Sequence, residues 1–126
     1  MYRTSFKSFL CVPRGEKSLC HPIGVLYDAP FDVYLTDTDV FQPDLLVVLN
    51  QNRGILTDAG AEGAPDFVVE VLSPKTRQLD LVNKKRIYAR MGVKELWIID
   101  PEPKEVAIYR FDQDPIQVRP HRRAGQ

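Results

Sequence analysis

Residues 66–72, Asp-Phe-Val-Val-Glu-Val-Leu, form an almost entirely apolar run with one carboxylate near its centre. The run is short and rich in valine, so it reads as a strand buried inside a sheet rather than as a helix. A carboxylate buried in mid-strand without a partner is costly, so Glu70 must be paired, protonated or metal-bound. Any fold open to this chain has to supply that partner.

Two further runs share the same character, 44–50 (Asp-Leu-Leu-Val-Val-Leu-Asn) and 96–100 (Leu-Trp-Ile-Ile-Asp). Between the second and third strands, Ser73-Pro74 suits a helix start, with serine as cap and proline in the first turn. The helix should end near Met91, with Gly92 as a left-handed stop. A strand–helix–strand stretch from Asp66 to Asp100 makes strands 66–72 and 96–100 parallel through a right-handed crossover. Pro101–Lys104 then turns the chain into an antiparallel strand, 105–111, where Val106, Ile108 and Arg110 face away from Ala107, Tyr109 and Phe111. A short strand is expected at 31–35, and 52–64 reads as a polar, glycine-bearing loop. Residues 1–30 read as irregular, because Pro13, Gly15, Pro22, Gly24 and Pro30 interrupt every periodic stretch. Residues 113–126 also read as irregular, with Arg119-Pro-His-Arg-Arg as a solvated basic tail. The fold class is α/β, a mixed central β-sheet with one strand–helix–strand crossover.

With 126 residues the chain is one domain, 1–126, and its hydrophobic share of 44% supports a single small core. Seventeen basic residues balance seventeen acidic ones. That counts against a protein that grips nucleic acid by bulk charge, though it says little about an enzyme with a local site. Cys11 and Cys20 are too few for a disulfide framework and lack metal-type spacing, so reduced thiols in a cytoplasmic protein are expected. No run approaches the ~18 apolar residues of a membrane span, and residues 9–12 are too short an apolar stretch for a signal peptide.

Strand alternation points Asp66 to the same side as Glu70. Asp44 opens the preceding strand, and beside Glu70 it would create an oxygen-rich site suited to Mg²⁺ or Mn²⁺. The plainer alternative is that these carboxylates cap strand ends or pair with arginine. On the helix, Asp80, Lys84, Ile87, Tyr88 and Met91 share one face, with Arg77 and Leu81 at its edge. Asn83, Arg86 and Arg90 form the polar side. Lys84 thus sits on the face that packs on the sheet, either as an ordinary pair with Asp80 or as a partner for Glu70.

These residues carry a resemblance. Pro43-Asp44, the stretch Gly63-Ala-Pro-Asp-Phe-Val-Val-Glu-Val-Leu-Ser-Pro-Lys-Thr76, Asp80-x-x-x-Lys84-x-x-x-Tyr88 and Gly92-Val-Lys-Glu-Leu-Trp-Ile-Ile-Asp-Pro101 are together similar to the Uma-two family, over about residues 40–110. That resemblance implies a restriction-endonuclease-like fold of the PD-(D/E)xK type and an endonuclease acting on DNA. It implies Asp44 and Glu70 as the metal-binding carboxylates, assisted by the Val71 carbonyl, with Mg²⁺ or Mn²⁺ as the ion. The usual lysine two residues after the second carboxylate falls at Leu72, and Lys84 on the helix occupies its role. Asp80 and Tyr88 would fix that lysine, while Asp66 would bind metal or secure the strand end.

The family pattern also includes an N-terminal helix bearing an acidic residue, whereas Glu16 lies in a Pro/Gly-broken stretch. The segment after Asp112 does not match the family's closing segment. The domain is therefore expected to be incomplete, with apolar surface that a homodimer would cover. Two other functions compete with a DNA endonuclease: a non-catalytic remnant serving interaction or oligomerisation, and a phosphodiesterase acting on RNA or a small nucleotide.

Overall fold

The computed structural model describes the backbone of residues 7–14, 19–73 and 79–112, and the side chains of 22–73 and 81–112. Among these described residues, ten strands and one α-helix follow one another. Strands β1 (Lys7–Arg14), β2 (Leu19–Asp28), β5 (Leu45–Leu49), β8 (Phe67–Val71), β9 (Glu95–Asp100) and β10 (Glu105–Arg110) form a six-stranded sheet in that spatial order. Strands β3 (Val33–Tyr34), β4 (Val40–Phe41), β6 (Leu56–Thr57) and β7 (Gly60–Glu62) form a smaller sheet, ordered β4-β3-β7-β6. Helix α1 (Leu79–Met91) connects β8 to β9, and those two strands run parallel while every other pairing in the large sheet is antiparallel. The mixed α/β sheet with a strand–helix–strand crossover is thus present.

The N-terminal expectation is overturned. Residues 1–30 were to be irregular, yet β1 and β2 form a long antiparallel hairpin. Pro13 lies in the edge strand β1, and Pro22 in the part of β2 that extends beyond its pairing with β5. The register shifts between Leu10 and Cys11, and Cys11 lies opposite Pro22, as an edge hairpin with a bulge allows. Gly24 lies where a Cβ would meet the Val48 carbonyl oxygen at 2.6 Å, so it permits close approach of β5. The expected loop at 52–64 is also more ordered than its composition suggests. It holds a 3-10 turn at Asn50–Ile55 and the hairpin β6–β7. The start of the helix at Pro74 and the tail after Asp112 lie outside the described residues.

Among the described residues, the buried side chains of the large sheet gather on one face. Register puts Leu46 opposite Val68, Val68 beside Leu96, and Leu96 opposite Tyr109, so these side chains share a side. Tyr88 of α1 packs there with Val68, Val93, Leu96, Ile98, Tyr109 and Phe111. The small sheet covers the other half, where Val33 and Ala61 meet Leu46 and Val48. The central strands were expected to be buried on both faces. Instead they alternate, and Val71 and Trp97 on the opposite face are 44% and 39% exposed.

The C-terminus of α1 closes as the sequence predicts. Gly92 has φ 106°, and Val93 N–H donates to the Tyr88 carbonyl at 3.0 Å, which is a Schellman closure. It delivers the chain directly into β9. Gly60 is the more demanding position, with φ 140° and space for a Cβ only 2.2 Å from the Asp32 carbonyl oxygen. Substitution Gly60→Ala should therefore destabilise the protein by about 2 kcal/mol or more, read as a lower urea midpoint with an unchanged slope.

Candidate active site

Glu70 sits on the helix-covered side of β8 and is 7% exposed. Two side chains of α1, one turn apart, meet it there. Tyr88 donates its hydroxyl to Glu70 Oε2 at 2.7 Å, and Lys84 Nζ lies 3.5 Å from Oε1. The helical phasing that put Lys84 and Tyr88 on the packing face is therefore observed, and Lys84 does partner Glu70. Arg86, Arg90 and Asn83 are exposed, as expected of the polar side.

Asp44 joins them from β5. The β5–β8 ladder pairs Leu45 with Val69, and one further step along that register places Asp44 opposite Glu70. There the side chain replaces the ladder, since Asp44 Oδ2 accepts a hydrogen bond from Val71 N–H at 2.7 Å. The Asp44 carbonyl accepts from Ala29 N–H at 3.1 Å, tying the same residue to the end of β2.

Electrostatics at Glu70 are dominated by burial, which pushes its carboxyl above the ordinary value. The Tyr88 hydrogen bond and the Lys84 ammonium pull it back, and the neighbouring Asp44 charge pushes it up again. A buried carboxylate whose burden includes another carboxylate is relieved by a cation placed between them. The donor set also fits. Asp44 and Glu70 offer hard oxygens, and Mg²⁺ commonly takes one or two carboxylates while keeping several waters. Among the described residues no cluster of three or more His, Cys, Asp and Glu side chains forms, so a zinc-type cage is not what this site resembles.

Asp66 belongs elsewhere. It shares the face of Glu70, but its Oδ2 accepts from Leu49 N–H at 2.7 Å and its Oδ1 lies 3.0 Å from Lys94 Nζ. Its carbonyl accepts from the N–H groups of Lys94 and Glu95. Asp66 therefore ties β5, β8 and β9 together at the far end of the strand. A cleft of about 360 Å³ opens beside it, lined by Asn52, Met91 and Lys94 among others and not by Glu70. Asp80 lies within α1, but its side chain is outside the described residues.

Phe41 is the neighbour that sequence reasoning did not single out. Its ring stands edge-on to Tyr88 with centroids 5.3 Å apart, and Lys84 Nζ lies 5.9 Å from its centroid. The available signal was its position three residues before Asp44.

The raised Glu70 carboxyl has a thermodynamic consequence. The folded state holds this proton more tightly than the unfolded state, so the stabilising contribution is complete below the ordinary value of 4.5. It is lost as pH rises through the folded value. In metal-free buffer, wild type should lose stability relative to Glu70→Gln as pH rises above the ordinary value of 4.5, as measured by urea unfolding. A difference between the two proteins that does not change with pH contradicts this.

The chain matches the model of the Uma2 family, described as "Putative restriction endonuclease", over residues 15–125. It is also similar to the crystal structure of a nuclease belonging to DUF820 from Anabaena variabilis ATCC 29413, titled a "putative nuclease", with a TM-score of 0.60 and 23% identity. The similarity covers 75% of this chain and 52% of that one, so the chain spans about half the length of that protein. Among curated proteins there is no significant match. No helix among the described residues is long and apolar enough to cross a membrane.

Proposed function

This chain belongs to the Uma2 family of restriction endonuclease-like proteins, and from that footing we propose that it is a divalent-metal-dependent nuclease hydrolysing phosphodiester bonds in DNA. The observation that supports this best is the buried Glu70 held between Tyr88 and Lys84, with Asp44 arriving from the adjacent strand. Asp44 and Glu70 would hold Mg²⁺ or Mn²⁺. When bound, such an ion supplies an acidified water and neutralises charge on the scissile phosphate.

The remaining work falls to side chains already in place. Lys84 carries its ammonium beside the carboxylate pair, where it can orient the attacking water and donate to the oxygen that gains charge. Tyr88 is fully buried, and its hydroxyl fixes Oε2 so that Glu70 presents its other oxygen in one orientation. Asp66 and Lys94 hold the strand ends and take no part in the chemistry.

Cleavage of plasmid and single-stranded DNA with Mg²⁺ or Mn²⁺ tests the proposal. Glu70→Ala, Asp44→Ala and Lys84→Ala should each lower kcat by about 100-fold or more. Lys94→Met, at the Asp66 end, should leave kcat unchanged. Full activity in both the Glu70 and Lys84 variants would show that the site lies elsewhere.

A further inference from the structure

The geometry points to Phe41 as a positioning residue for Lys84, its ring face holding the ammonium beside Glu70. This inference rests on the nuclease reading of the site. Strand β4 brings the ring in: Phe41 pairs with the fully buried Val33 of β3. Gln42, the next residue, donates from Nε2 to Asp32 Oδ1 at 2.6 Å, and Pro43 is fully buried. Asp44 follows. One anchored segment of four residues thus delivers both a carboxylate to Glu70 and an aromatic ring to Lys84.

The ring has two contacts that differ in kind. Edge-on packing against Tyr88 is apolar, and a leucine could replace much of it. The approach of Lys84 Nζ to within 5.9 Å of the centroid is electrostatic, since the negative face of the ring attracts a cation over a range of about 6 Å. The side chain of Lys84 is 22% exposed, so its ammonium has lost part of its hydration and gains from that face. A lysine stem has four rotatable bonds, and without the ring its ammonium samples more positions away from Glu70. An aromatic ring at 41 is therefore required for placement of the charge, beyond its share in the core.

The contrast between Phe41→Leu and Phe41→Tyr tests this. NMR relaxation of the Lys84 Cε group in metal-free protein should show an ordered side chain in wild type. That order should fall in Phe41→Leu and return in Phe41→Tyr. With Mg²⁺ and DNA, Phe41→Leu should lower kcat about threefold to tenfold with KM little changed, and Phe41→Tyr should restore it. If Phe41→Leu does not fold, Phe41→Met makes the same comparison. Unchanged Lys84 order in the aliphatic variant overturns the inference, as does equal loss of kcat in the aliphatic and Tyr variants. Wild-type protein without cleavage under any metal defeats the nuclease reading alone, since the side-chain order still decides whether Phe41 holds Lys84.

Discussion

Burying the carboxylate of Glu70 is the constraint on which the rest of this structure depends. An ionised carboxylate in an apolar interior is unfavourable by several kcal/mol unless other groups replace its lost water. Here the replacements come from a single helix face, Tyr88 to one oxygen and Lys84 to the other. Helical spacing of four residues puts both on one side, and the strand–helix–strand crossover lays that side over β8. The crossover and the carboxylate therefore specify each other. A helix rotated by a quarter turn would leave Glu70 facing hydrocarbon and Tyr88 facing water.

Two carboxylates on the same strand face have opposite fates because of what surrounds them. Asp66 collects an amide donor and the Lys94 ammonium and serves as a clamp between three strands. Glu70 has partners too, but it also has Asp44 nearby, whose charge opposes its ionisation. Burial first, and the Asp44 charge with it, raise the Glu70 carboxyl above its ordinary value, and a perturbed buried carboxyl beside a second carboxylate marks a candidate reactive site.

Much of this could be read from the sequence wherever one physical rule acted alone. The apolar runs at 44–50, 66–72 and 96–100 became β5, β8 and β9, and Gly92 stopped the helix by the left-handed geometry only glycine enters cheaply. The mid-strand position of Glu70 announced a partner, and helical phasing named Lys84 and Tyr88. Failures came where tertiary context outweighed local signals. Pro13, Pro22 and Gly24 argued against strands, but Pro13 sits in the edge strand β1, Pro22 lies beyond the pairing of β2 with β5, and Gly24 is where β5 approaches closely. Of the small sheet only β3, inside the strand expected at 31–35, could be read; β4, β6 and β7 are two or three residues long, below the length at which alternation can be recognised. Phe41 was missed for the same reason, since its role depends on a strand too short to predict.

Asp44 uses one oxygen to complete the hydrogen bonding of Val71 at the end of β8. A side chain standing in for a backbone acceptor would couple local order to occupancy, were a cation to bind there. A cation that drew that oxygen away would loosen the last amide of the strand, and fraying of the strand would release the oxygen; by reciprocity the two effects would be equal in free energy. Because Val71 is 44% exposed, water can take up the freed amide. The terminus of β8 would then act as a weak spring in series with the site, its tension set by one hydrogen bond.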